Sequence, residues 1–251
     1  MAKIFRKFRK RLMSENKFSK YALYAVGEIV LVVIGILIAV RINDYNTFNK
    51  ERKEEFRLLN KFKEDFKQDS IDLSGLIEKE TRVLNNIDSI FRILETENDQ
   101  HLPQLASISQ TIANSHIFYT QSGTYDESIS AGKMDVILND SLRETIFGYY
   151  GEVKINLSDA VFDKYQTNEI VPAYMEIMLQ NKQAAGLMGL NNPYLEDLSV
   201  SRLYQNKKFN EILIWRKINA GYAVGTWMEY QELCSSILSL VKEEIQNHPQ
   251  N

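Results

Sequence analysis

Residues 21–40 read YALYAVGEIVLVVIGILIAV, and this run decides the fold. Twenty residues at ~1.5 Å per residue reach about 30 Å, the thickness of a bilayer hydrocarbon core. Only Glu28 is charged, and the apolar run Ile29 to Ile38 would bury both faces of any strand. Lipid requires every backbone group to be paired within the segment, so a spanning helix over 21–42 is predicted. Tyr21 and Tyr24 stand where amphipathic rings favour headgroups, and Arg41 and Asn43 mark the far end. A cleaved signal peptide is the rival reading. Its apolar part is typically ~7–15 residues with a small-residue cleavage site, whereas Ala39-Val40-Arg41 offers no Ala-x-Ala. The run reads as an uncleaved signal anchor.

Orientation follows from charge. Residues 1–20 carry eight Lys/Arg against one acid, Glu15. Residues 41–251 keep 22 basic and 31 acidic residues, a balance of −9 that the whole-chain value of −3 conceals. Positive flanks stay in the cytoplasm, so the long remainder is expected in the periplasm. The head MAKIFRKFRKRLMSENKFSK places Ile4, Phe5, Phe8 and Leu12 on one helical face, with Lys3, Arg6, Lys7, Arg9, Lys10 and Arg11 around the rest. That pattern suits a helix lying on anionic headgroups, and it explains the basic run without nucleic acid. Within the span, Gly27, Glu28, Gly35 and Ala39 gather on one side. Small residues let helices approach closely in lipid, so this stripe is a candidate helix–helix contact; the plainer reading has Glu28 snorkel to the interface.

Beyond the span the pattern is helical. A stalk over 43–56 leads into an outer domain, 57–251. Leu59, Phe62, Phe66, Leu73, Leu76, Val83, Ile87, Ile90 and Leu94 recur at three and four, predicting one long helix from Ile42 to about Leu94, with a kink near Ser70–Gly75. Glu80 interrupts this seam, which weakens a coiled-coil reading. Pro103 is placed to start a helix that reaches about His116. Thr124-x-x-Glu127 and Ser141-x-x-Glu144 read as capping boxes, with Gly132 ending the first helix and the second running toward Pro172. Asn192-Pro193 reads as a further cap. A final helix is expected from Lys207 to Gln246, buried through Phe209, Ile212, Leu213, Trp227, Tyr230, Leu233, Ile237, Leu240, Val241 and Ile245. Four prolines and no alternating run argue against a β-sandwich. The fold class is all-α: a transmembrane helix continuing into a helical bundle.

Chemistry is sparse. His101, His116 and His248 show no H-x-x-E or H-x-x-x-H spacing, and Cys234, the single cysteine, reads as core. Nucleophile-elbow, P-loop and dinucleotide glycine patterns are missing, so no cofactor is expected. Glu64, Asp65 and Asp69 fit a solvated acidic face. The tract 119–139, YTQSGTYDESISAGKMDVILN, is the densest polar-aromatic stretch. Tyr125, Asp126 and Lys133, with nearby Arg143, are the candidates there for a ligand or partner, although capping and packing account for them equally well.

Three stretches carry a family likeness. Ser14–Asn46 (SENKFSKYALYAVGEIVLVVIGILIAVRINDYN), Phe56–Asp69 (FRLLNKFKEDFKQD) and Thr124–Tyr150 (TYDESISAGKMDVILNDSLRETIFGYY) resemble a domain-of-unknown-function family of small single-pass proteins of Gram-negative bacteria. The resemblance implies an inner-membrane anchor and a helical periplasmic domain, and brings no activity or catalytic residue. The sequence thus suggests a non-enzymatic protein that binds a membrane or periplasmic partner or self-associates. The alternative is a ligand sensor whose signal crosses Tyr21–Val40 to a separate cytoplasmic protein.

Overall fold

A computed structural model describes residues 18–155, 157–179 and 198–247, together with residues 182, 186, 189 and 191. The basic head residues Lys3, Arg6, Lys7, Arg9, Lys10 and Arg11, the Asn192-Pro193 cap and His248 lie outside the described residues. The described elements are helical throughout. Helix α1 spans Phe18–Thr96, α2 Leu102–Ser109, α3 Gly123–Ser130, α4 Asp140–Ile155, α5 Leu157–Tyr165, α6 Val171–Leu179, α7 Val200–Gln205 and α8 Lys207–Asn247. Short 3₁₀ turns lie at Asp99–His101, Gln110–Ala113 and Met134–Val136, and a π-turn at Gln166–Ile170 joins α5 to α6.

The chain divides into two compact units, Met1–Glu55 and Phe56–Asn251. In the first, the N-terminal part of α1 is long and apolar enough to cross a membrane. Its large apolar side chains from Leu23 to Ile42 are each at least 47% exposed, which in water would be unfavourable at every position. Such a helix, apolar on all sides, has the surface that lipid solvates.

The second unit is built around one seam of α1 and one of α8. On α1 Leu59, Phe62, Phe66, Leu73, Val83, Ile87, Ile90 and Leu94 are buried; on α8 Phe209, Ile212, Leu213, Ala220, Trp227, Tyr230, Cys234, Ile237 and Val241 are. These side chains form two core clusters. One gathers Phe62, Phe66, Tyr149, Tyr150, Trp227 and Ile237, and the other Ile87, Ile90, Leu105, Tyr174, Phe209 and Ile212. The rings of the first meet edge-on, with Phe66 5.1 Å from Tyr149 and Tyr149 5.2 Å from Tyr150.

Several local predictions hold, and several need correction. Pro103 does open α2, and α8 matches its predicted span within a residue. Gly132 ends α3 at φ +63, and the Gly132 N–H and Lys133 N–H return to the carbonyls of Ile129 and Ser128. That left-handed step suits glycine. Helix α1 runs unbroken through Ser70–Gly75, where Ser74 Oγ donates to the Ser70 carbonyl within the helix. Neither capping box forms. The hydroxyl of Ser141 is displaced as cap by Asn139, whose Oδ1 accepts from the Leu142 N–H at 3.0 Å. Thr124 lies inside α3 rather than ahead of it, for a reason given below. The helix predicted from Ser141 toward Pro172 is interrupted by the π-turn. Proline has no N–H and its ring crowds the carbonyl four residues back, here Asn168, so a widened turn just before Pro172 relieves both problems.

Candidate functional site

The segment from Asn114 to Ser122 has no regular structure, and buried carboxylates of α1 hold it. Asp69, fully buried, accepts from Thr120 Oγ1 at 2.6 Å, from the Gln121 N–H at 2.8 Å and from the Tyr149 hydroxyl at 2.7 Å. Asp65, one turn earlier, is bonded by the side chain and the backbone N–H of Thr124. Asp65 therefore caps α3 from another helix while Asp69 holds the residues just before it, so Thr124 is released from capping its own helix. Burial raises the pKa of both carboxyls, and the donated hydrogen bonds only partly offset it. The same pocket of low dielectric raises the Tyr149 and Tyr150 phenols, and pushes the Cys234 thiol up to about 12. Tyr150 closes the arrangement by donating to the Gln121 carbonyl at 2.9 Å.

Of the residues singled out in the 119–143 region, Tyr125 and Asp126 come together. Tyr125 stacks on Tyr150 at 4.3 Å, and Lys154 lies 5.1 Å above its ring while pairing with Asp126. The Lys154 hydrogen bond, aided by Ser122, holds the Asp126 carboxyl below its ordinary range. Arg143 is engaged elsewhere: it donates to the Ile137 carbonyl at 2.9 Å and to Asp140 at 2.6 Å, tying the Met134–Val136 turn to α4. Lys133 is half-buried at the end of α3, its N–H serving that helix's C-cap. In the first unit Gly27, Glu28, Gly35 and Ala39 are all exposed, and a Cβ at either glycine would meet nothing within 4 Å.

A second polar cluster lies where the two apolar cores meet. Glu80, 2% exposed, sits on α1 between Leu73 of one cluster and Val83 of the other. Its Oε1 accepts from Arg216 Nη2 at 2.8 Å and bonds His116 Nδ1 at 2.7 Å. Arg216, equally buried on α8, also donates to the Asn114 carbonyl at 3.1 Å. Burial alone would raise the Glu80 carboxyl, but the bonds and charges of His116 and Arg216 outweigh it and lower its pKa. Beside this trio is a polar cavity of about 20 Å³, lined by Phe162, Asp163, Gln166 and Asn219 as well as by Glu80, His116 and Arg216. Gln166 is the first residue of the π-turn, is buried, and donates to the Ile112 carbonyl. Turns of this kind recur at functional sites.

Sequence reasoning passed over this cluster, although a signal was present. Glu80 breaks the three-and-four seam of α1, and Arg216 falls on the matching seam of α8 between Leu213 and Ala220. One buried charge in each of two seams, opposite in sign, is the mark of a pair.

Next to the cavity lies an apolar face. Val161 and Tyr165 on α5 and Ile214, Ile218 and Tyr222 on α8 are 42–65% exposed. Beneath them Phe162 meets Tyr222 at 5.4 Å, and Tyr165 meets Trp215 at 4.7 Å, joining the two helices into one surface. Among the described residues no group of three or more His, Cys, Asp or Glu is placed to hold a metal ion.

No curated protein and no solved structure matches the chain. A family match covers residues 28–174, more than half of the 251 residues, taking in Asp69, Glu80, His116 and Gln166 and stopping short of Arg216. By that match the chain belongs to a family of unknown function, DUF6090.

Proposed function

We propose that this is a single-pass protein of the bacterial inner membrane whose helical unit lies in the periplasm and acts as a non-enzymatic interaction module, holding a membrane or periplasmic protein. The observation that carries the reading is the exposed face of Val161, Tyr165, Ile214, Ile218 and Tyr222. Large apolar side chains left in solvent on two helices whose aromatic rings touch are a usual mark of a partner surface. The exposed apolar start of α1 and the basic head support the anchor and its direction. The buried acids support a structural reading of the polar clusters, because Asp69 holds a backbone N–H and two hydroxyls and Glu80 holds two side-chain donors.

Crosslinking in intact cells followed by mild-detergent purification tests this reading. One stoichiometric membrane or periplasmic partner is expected with the native chain. The Ile218→Glu variant, altered at an exposed position, is expected to fold and to lose that partner at least tenfold. Undiminished recovery with the variant, or a bare monomer with the native chain, would count against the face. Self-association through the Gly27, Glu28, Gly35 and Ala39 side would appear in the same experiment as a ladder of the chain alone.

A further inference from the structure

One face of α1 in the first unit carries an inference, which rests on the reading of this helix as a membrane span. Ile34, Leu37, Ile38, Arg41, Ile42 and Tyr45 line a shallow, mainly apolar groove whose polar side-chain groups are the Arg41 guanidinium and the Tyr45 hydroxyl. The stripe continues past the groove. Ile34, Ile38, Arg41, Tyr45, Phe48 and Arg52 follow one another by fours and threes and so share one side of the helix. Tyr45 is 65% and Phe48 50% exposed, and the Arg52 guanidinium lies 5.3 Å over the Phe48 ring. Every other residue from Asn43 to Lys50 is polar, so these two rings are the apolar part of an otherwise hydrophilic segment. The stripe is turned by about 100° from the Gly35 and Ala39 side, so the two faces do not compete.

Two observations name what covers this face. The first is order. Along the helix aliphatic side chains come first, then the guanidinium, then a ring carrying a hydroxyl, the sequence of a phospholipid from acyl chain to phosphate to headgroup. A guanidinium forks onto phosphate oxygens as a paired donor. Among the described residues no carboxylate holds Arg41, Asp44 three positions on included. An apolar partner helix would match the groove's floor but would take the Arg41 charge out of water with no anion beside it. The second is length. Tyr24 and Tyr45 are twenty-one positions apart, about 32 Å along a helix, which is one hydrocarbon thickness.

We propose that Arg41 and Tyr45 hold the phosphate of a membrane phospholipid whose chain lies along Ile34, Leu37 and Ile38, with Tyr45 and Phe48 among the headgroups. Arg41, about 6 Å deeper than Tyr45, reaches the phosphate by snorkelling. The membrane boundary at this end falls near Tyr45, and the first two turns after the span belong to the interface rather than to a stalk in water.

The full chain in nanodiscs of phosphatidylethanolamine and phosphatidylglycerol tests this in two ways. Spin labels on Ile34→Cys, Asn46→Cys and Lys53→Cys report depth through collisions with oxygen, which concentrates in lipid, and with a nickel chelate, which stays in water; native Cys234 is buried. The label at 34 is expected to meet oxygen, that at 53 the nickel chelate, and that at 46 to lie between them at headgroup level. A label at 46 as open to nickel as that at 53, with 34 still shielded, would overturn the proposal and leave the span standing. A label at 34 open to nickel would overturn both. The second test maps crosslinks from a photoactivatable phosphatidylglycerol. They are expected over residues 38–48, to fall about tenfold in Arg41→Gln with the loss of a charge-assisted bond, and to persist in Lys50→Gln, an exposed cation on the opposite side of the helix. Equal crosslinking in Arg41→Gln and the native chain, or an equal loss in Lys50→Gln, would overturn the phosphate site.

Discussion

Asp69 and Glu80 are both buried acids on the same helix, yet they answer pH in opposite senses. Asp69 has its folded-state pKa raised by burial against three donated hydrogen bonds. Its contribution is therefore full below the unfolded value and is lost as pH rises through the folded one. Glu80 has its pKa lowered by His116 and Arg216 in spite of burial, so its contribution is present above the unfolded value and lost as pH falls through the folded one. Urea titrations across the acid range should separate the two. The stability margin of the wild type over Asp69→Asn is expected to grow as pH falls, and its margin over Glu80→Gln to shrink. At neutral pH, Asp69→Asn is expected to cost little, since the amide keeps the Gln121 N–H bond and can donate to the two hydroxyls. Asp69→Ala orphans the Gln121 N–H and should cost roughly 2–3 kcal/mol in the same assay.

At the level of elements, the seams of α1 and α8 show what sequence does and does not reveal. The apolar positions of both helices, Phe62 to Leu94 and Phe209 to Val241, were legible because burial and a 3.6-residue period leave the same trace in any amphipathic helix. The polar members of those seams were not legible as a site, because pairing Glu80 with Arg216 is a contact 136 residues apart. Asp65 and Asp69 read as a solvated face for a related reason: a helix cannot announce that a loop will fold over it. The capping boxes failed in the same way, one to the neighbouring Asn139 and one to Asp65 of α1. The π-turn left only a faint trace. Buried Gln166, Ile170, Tyr174 and Met178 are spaced by four, a step that drifts by about 40° each time on an ordinary helix and needs a wider turn to stay on one side. The paired seam positions lead to a prediction. Glu80→Leu or Arg216→Met alone should cost about 3–5 kcal/mol by leaving a buried charge unpaired, whereas the double variant should recover most of that loss. Chemical denaturation of the four proteins closes the cycle.

For the molecule as a whole, the single cysteine is a built-in reporter. Cys234 is fully buried beside Tyr149, and its thiol is pushed up to about 12, so the reactive thiolate is scarce and shielded. Maleimide labelling of the native protein at neutral pH is expected to be slow and to accelerate at least a hundredfold in denaturant; prompt labelling would show that the Trp227–Cys234 layer opens readily. The ion pair described between the two cores has a further consequence, for alignment. Helices α1 and α8 run past one another over long, repetitive apolar seams, and Leu, Ile and Val on one side tolerate many neighbours on the other. Were α8 to slide by a turn, apolar contacts would largely re-form, but Glu80 would face Leu213 or Ala220 and Arg216 would lose its carboxylate. The charge pair thus works as an index mark on an otherwise sliding scale: it adds little to how tightly the helices hold, and decides where along their length they stop.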